Sequence, residues 1–212
     1  MATASHEQQA LRIILFVLFG QGIFVAITLI SDPRALIAYL GFAPGLSGSS
    51  TAWAVAFVIA VLYVWSARSM GDVREHMFRP SGLKAVAVVA ALVAGIVEEV
   101  IFRRWVMDYL DRAGYGVVVQ VLASGLTFGL VHLLWGIRNL AAGVNAAVST
   151  SLLGFGLAIA YIVGGRSLAP CIVAHFVISA LIEPGLVLAA VKDRLGYWGE
   201  RTPVSGVGDR RV

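Results

Sequence analysis

Long apolar runs alternate with short polar breaks along this chain, and the run lengths predict membrane-spanning helices. Leu11 to Ile30 carries one charge, Arg12, over the roughly 20 residues that a bilayer core requires. An uncleaved first span is expected, because the run outlasts a signal-peptide h-region and Ile30-Ser31-Asp32-Pro33 lacks a small-x-small cleavage pattern. Thr51 to Ala67 forms a second span, closing on Tyr63 and Trp65, aromatics suited to a headgroup boundary. Further spans are expected from near Lys84 to about Leu110, from Val117 to Trp135, from Gly143 to Val163 and from Leu168 to Val191. Between them, Ser31 to Ser50 holds Pro33, Gly41, Pro44, Gly45 and Gly48, which predicts a loop with a turn around Ala35 to Leu40. Arg68 to Lys84 is the most polar internal stretch and reads as a solvated basic connector. Asp111 to Gly116 turns the chain, and Lys192 onward is a polar tail. The expected architecture is an all-α polytopic transmembrane bundle of about six spans in a single integral membrane domain, residues 1–212. Its N-terminal spans fall in 11–67, a core in 84–191 and the tail in 192–212.

Composition agrees with that solvent. The chain is 59% hydrophobic and 13% charged, against roughly 45–50% and about 25% in soluble domains. Cys171 is the only cysteine, so no internal disulfide can form. The net charge of +4 belongs to loops between apolar runs and is not interleaved with stacking aromatics, which points to a lipid bilayer and away from nucleic acid. With six spans, one side collects 11 Lys and Arg and the other 5, and the positive-inside rule puts both termini in the cytoplasm. The expected location is a bacterial cytoplasmic membrane; oligomeric state is left open.

Against this background the third span is anomalous, because Glu98, Glu99, Arg103 and Arg104 interrupt it. A charge at the centre of a membrane helix costs roughly 2.5–3.5 kcal/mol, while a Leu, Ile, Val or Phe returns only about 0.3–0.6 kcal/mol. Such charges must pair or face water. Glu99 and Arg103 are four apart on one helix face and can neutralise each other, which leaves Glu98, about 100° away, to aim into the bundle. A structural ion pair between helices is the plainer alternative.

Other spans add polar groups. The fourth places His132 four residues after Phe128, and the sixth places His175, Ser179 and Glu183 on one stripe. A lone histidine in an apolar span often only bonds a backbone carbonyl. Titratable or polar groups on three helices instead suggest one shared site. Glu98, His132 and His175 match the ligand types of a catalytic zinc site that keeps a position for water. Alternatively, Glu98 with His132 deprotonates water directly, while His175 and Ser179 bond the developing oxyanion. Either route hydrolyses a peptide bond. Cys171 lacks an activating base and reads as packing. Pro170 fits the first turn of the sixth helix, whereas Pro184 removes the bond to the Ala180 carbonyl and should kink it. Depth is a tension in this picture, since Glu98 lies roughly 21 Å of helix beyond Lys84 but His175 only about 7 residues into its span. Glu183 is expected either behind His175 and Ser179 or near the interface.

Glu98-Glu99-Val100-Ile101-Phe102-Arg103 resembles the E-E-x-x-x-R motif, and Phe128 to His132 the F-x-x-x-H motif, of the CAAX-protease and bacteriocin-processing (CPBP, abortive-infection) family of intramembrane proteases. His175 matches the start of a third motif, H-x-x-x-N or H-x-x-x-D, whose last position is Ser179 in this chain. The resemblance covers about Ala85 to Leu188. It implies an endopeptidase acting on a peptide or protein at the membrane. Catalytic roles fall to Glu98, Glu99, His132, His175 and Ser179, and orienting roles to Arg103 and Phe128. Glu98, His132 and His175 would be the ligands of any divalent metal such as zinc, although a metal-independent glutamate mechanism is equally compatible. A non-catalytic scaffold with a degenerate site and a small transporter using the same groups as a proton relay are the competing classes.

Overall fold

The computed structural model describes residues 2–136, 139–192 and 194–195, with side chains from His6 onward. Arg138 and the tail from residue 196, both used in the charge count, lie outside the described residues. Ten α-helices in chain order account for the described regular structure, together with one π and one 3₁₀ segment. They are α1 (Ala2–Ser31), α2 (Pro33–Tyr39), α3 (Ser50–Ala67), α4 (Gly71–His76), α5 (Gly82–Glu99), α6 (Asp108–Arg112), α7 (Val117–Val131), α8 (Leu140–Val163), α9 (Ala169–Ile182) and α10 (Gly185–Val191). Five helical stretches are long and apolar enough to cross a bilayer, or six if α9 and α10 count as one bent span. Phe16, Phe19 and Ile30 on α1, with Phe57 and Trp65 on α3, stand exposed as lipid-facing surface.

The third span is longer than its apolar run suggested and is not uniform. It continues from α5 through a π-helical segment, Val100–Met107, into α6. The widened turn starts directly after the acidic pair, the position where π segments commonly re-aim side chains at functional sites. The expected turn after the first span is α2, its first turn capped by Asp32 Oδ1 accepting from the Ala35 amide at 2.9 Å. The fifth span begins at Leu140, where Asn139 caps it, rather than at Gly143.

Two connectors depart from expectation. The stretch read as a solvated basic loop contains α4, which buries Asp72, Val73 and His76. Its backbone packs on α10, where a Cβ at Gly185 would lie 2.5 Å from the Val73 Cα. Lys192 bonds Asp72 and fastens the two elements. Polarity there signals a docked hairpin rather than solvation. The sixth span is broken, with α9 and α10 meeting at 56°. Pro184 supplies the reason, since it has no amide for the Ala180 carbonyl. Lys84 fills the gap from α5, its Nζ donating to the carbonyls of Ala180 (2.5 Å), Leu181 (3.2 Å) and Glu183 (2.6 Å).

This arrangement resolves the depth tension. Lys84, at the start of α5, meets the end of α9, so the two helices run in opposite directions. Gly95 lets them close up, because a Cβ there would already touch the Phe176 amide nitrogen at 3.4 Å and the Ile172 oxygen at 3.5 Å. The beginning of α9 is sunk into the bundle under the α2–α3 loop. Ser167 Oγ donates to the Leu46 carbonyl at 2.6 Å, and Gly41 (φ 84°) approaches it so closely that a Cβ would sit 2.5 Å from that oxygen. His175 therefore starts deeper than its distance from Leu168 implied. On the other side, α7 packs on α8 through small residues, a Cβ at Gly154 falling 2.8 Å from the Gly125 Cα. The adjoining stripe of α7, Ser124, Phe128 and His132, meets the π segment and α9, with Ser124 bonded to the Phe102 carbonyl and the Phe128 ring against those of Phe102 and His175.

A second polar cluster joins α6, α7, α8 and the α8–α9 loop. Arg166, held at φ 64°, bonds Asp108 at 2.6 Å, Asp111 at 2.7 Å and Gln120 Oε1 at 2.8 Å. The Tyr161 hydroxyl donates to the same Asp108 oxygen at 3.0 Å. These contacts hold a left-handed arginine that costs roughly 1–2 kcal/mol by itself.

Candidate active site

The innermost part of the site is a sealed ion pair. Glu99 and Arg103 are both 0% exposed. Arg103 donates from Nε to Glu99 Oε2 at 2.8 Å and from Nη2 to Oε1 at 3.3 Å. Its remaining face is occupied as well. Nη1 donates to Ser124 Oγ at 2.7 Å, and that hydroxyl donates onward to the Phe102 carbonyl at 2.9 Å. The guanidinium also lies 5.2 Å from the centre of the Phe128 ring. A buried pair offsets its desolvation only when its spare donors and acceptors are met, and here they are.

Glu99 holds a histidine with what it has left. His175 Nδ1 lies 2.8 Å from Glu99 Oε1. A carboxylate paired to arginine only accepts, so Nδ1 carries the proton and donates. That fixes the ring and turns Nε2 toward Glu98, whose Oε2 is 3.7 Å away. This distance exceeds a hydrogen bond and is one that a water bonded to both could span.

Glu98 differs from its neighbour in every respect. Its side chain is 18% exposed, and among the described residues no Lys or Arg forms an ion pair with it. Its direct hydrogen bond comes from α1, Gln21 Nε2 donating to Oε1 at 3.2 Å. His132 stands where α7 gives way to the 3₁₀ turn His132–Gly136, inside the expected fourth span, which runs Val117–Gly136. Its Nδ1 donates to the Phe128 carbonyl at 2.7 Å, and Nε2 makes no hydrogen bond among the described residues. Phe128 is wedged between the imidazoles, its ring centre 4.9 Å from that of His132 and 5.7 Å from that of His175. Ser179 follows one turn after His175, and no hydrogen bond engages its hydroxyl among the described residues. Glu183 sits at the break beyond α9, its carbonyl bonded to Lys84; no hydrogen bond links its carboxylate to His175 or Ser179 among the described residues. Cys171 is buried with Sγ 3.3 Å from the Leu157 carbonyl, a packing position.

The residues present do not assemble a metal centre. Among the described residues no three His, Cys, Asp or Glu side chains converge as ligands. Both Nδ1 protons are committed, to the Phe128 carbonyl and to Glu99, which leaves Nε2 of each ring as its remaining nitrogen. The arrangement sets a carboxylate without a Lys or Arg partner beside two oriented imidazoles.

Gln21 is the site residue that the sequence reading passed over. It is an amide in the middle of the Leu11–Ile30 run, and that oddity was its signal. Residues 80–181 match the family described as type II CAAX prenyl endopeptidase, Rce1-like. The matched segment contains Glu98, Glu99, Arg103, His132, His175 and Ser179, and it excludes Gln21. Neither a curated protein nor a solved structure matches the chain.

Proposed function

We propose, from the match of residues 80–181 to the type II CAAX prenyl endopeptidase family, that this chain hydrolyses a peptide bond of a membrane-associated protein or peptide with water activated by Glu98. The observation that carries this reading is the contrast within the acidic pair. Glu99 is spent on Arg103 and His175, whereas Glu98 faces an amide and an imidazole and has no Lys or Arg partner among the described residues. A desolvated, unpaired carboxylate is a competent base for water.

The steps follow from the donors in place. Glu98 takes a proton from water as the water oxygen bonds the carbonyl carbon, and Nε2 of His132, at the end of α7, accepts a hydrogen bond from the Glu98 carboxyl so formed. The carbonyl oxygen becomes an oxyanion. His175, doubly protonated, donates to it from Nε2, and the Ser179 hydroxyl adds a second bond. Collapse breaks the C–N bond while the proton held by Glu98 passes to the leaving nitrogen, giving a free carboxyl and a free amine. Arg103 keeps Glu99 ionised, and Glu99 keeps the imidazole oriented, so neither transfers the proton.

The distribution of Lys and Arg favours both termini on the cytoplasmic side of a cytoplasmic membrane. Activity after exhaustive chelation separates a glutamate-only route from a metal-assisted one. A non-catalytic scaffold is the second reading, favoured by Ser179 in the position where the family motif carries Asn or Asp. Comparative N-terminal analysis of a membrane proteome with the native chain and with Glu98→Gln tests the two. New N-termini that vanish with Glu98→Gln support the protease; identical termini in both support the scaffold.

A further inference from the structure

Gln21 carries an unusual hydrogen-bond balance. Its Nε2 donates to Glu98, and an ionised carboxylate can only accept, so the amide cannot be turned the other way. Its Oε1 is then buried with no donor. Among the described residues it is the one buried side-chain oxygen or nitrogen in that condition. Leaving a buried acceptor unmet is unfavourable, and such groups call for a partner.

The helix that carries Gln21 is held on both sides of it. Ala10 and Ile14 pack with Ala87 and Ala90 of α5, and Phe24 meets Trp105 edge-on at 6.3 Å. Ala10, Ile14, Leu18 and Gln21 follow steps of four, four and three, one stripe against α5. The amide is therefore placed rather than dangling.

We infer that Gln21 orients the attacking water: Glu98 accepts one of its protons, Gln21 Oε1 accepts a hydrogen bond from the other, and the oxygen lone pair is turned to the scissile carbonyl. The inference rests on the water-activating role given to Glu98 above. Gln21 forms and breaks no covalent bond. It fixes the direction of the nucleophile, a contribution that appears in the chemical step rather than in substrate binding. It also makes α1, which lies outside the matched segment, part of the reaction centre.

The test uses the full chain in detergent with a mixture of internally quenched fluorogenic peptides, and compares Gln21→Asn, Gln21→Met and Glu98→Gln. Methionine keeps the length and apolar contacts of glutamine without either amide function. The expected result is a kcat loss of roughly 10- to 100-fold for Gln21→Met, a smaller loss for Gln21→Asn, KM within about twofold for both, and rates that do not follow the unfolding temperatures. A Gln21→Met kcat within about twofold of native, beside an inactive Glu98→Gln, overturns the role of Gln21 and leaves that of Glu98 standing. An active Glu98→Gln removes the premise itself. Should Gln21→Met fail to fold, Gln21→Asn decides, and native kcat in that variant counts against the inference.

Discussion

Two clusters of charge sit in the same apolar bundle, and they are wired differently. Around Arg166, two aspartates, an amide and a phenol all converge on the guanidinium and on one another. Around Arg103 one carboxylate is consumed, yet a second, Glu98, is supplied with no Lys or Arg to match it among the described residues. The first cluster ties the α6 end of the third span to α7, α8 and the following loop. The second does the same for α5, α7 and α9 and then has a carboxylate to spare. Full pairing suits architecture, and the proposed chemistry rests on the acid left without a Lys or Arg.

The comparison is sharpened first at Arg103. Arg103→Met strands the Glu99 charge in a dry interior and is expected to destabilise the chain by about 3–5 kcal/mol, seen as a large fall in unfolding temperature with cleavage lost alongside. Next in size is Lys84→Met. It orphans three carbonyls at the end of α9 and should cost about 1.5–3 kcal/mol, with kcat lowered because His175 and Ser179 ride on that helix. Asp108→Asn attacks the other cluster. Asp108 and its partner Arg166 are partly exposed, so about 1–2 kcal/mol of stability is at stake, and the cleavage rate should stay within about twofold. A strong rate loss there without unfolding would erase the distinction between the clusters. Ser179→Asn has the smallest expected effect, a kcat gain of roughly 2–5-fold as an amide donor replaces a short hydroxyl; a loss would show that Ser179 does not face the oxyanion.

The spans were legible because apolar run length is read directly from the sequence, and Glu99–Arg103 because helical spacing brings residues four apart together. His175 meeting Glu98 needed more. It depends on Gly95 closing α5 onto α9 and on a loop burying the start of α9, neither of which has a periodic signature. The π turn after Glu99 and the 3₁₀ turn at His132 are likewise set by tertiary packing, and the sequence around them reads as plain helix. The Arg166 cluster joins residues 58 apart in the chain, so its charges were counted as loop charges. Gln21 is legible as an amide inside an apolar run, but an amide carries no titratable charge to set it apart from a solvated or packed polar residue.

The most direct test of the central claim is the unfolding temperature of Glu98→Gln measured on the same preparation as its cleavage rate. A surplus carboxylate kept for chemistry destabilises the fold, so the expected result is cleavage reduced by roughly 10²–10⁴-fold at an unchanged or higher unfolding temperature. The contradicting result is a lowered unfolding temperature with cleavage intact, which would make Glu98 one more structural charge.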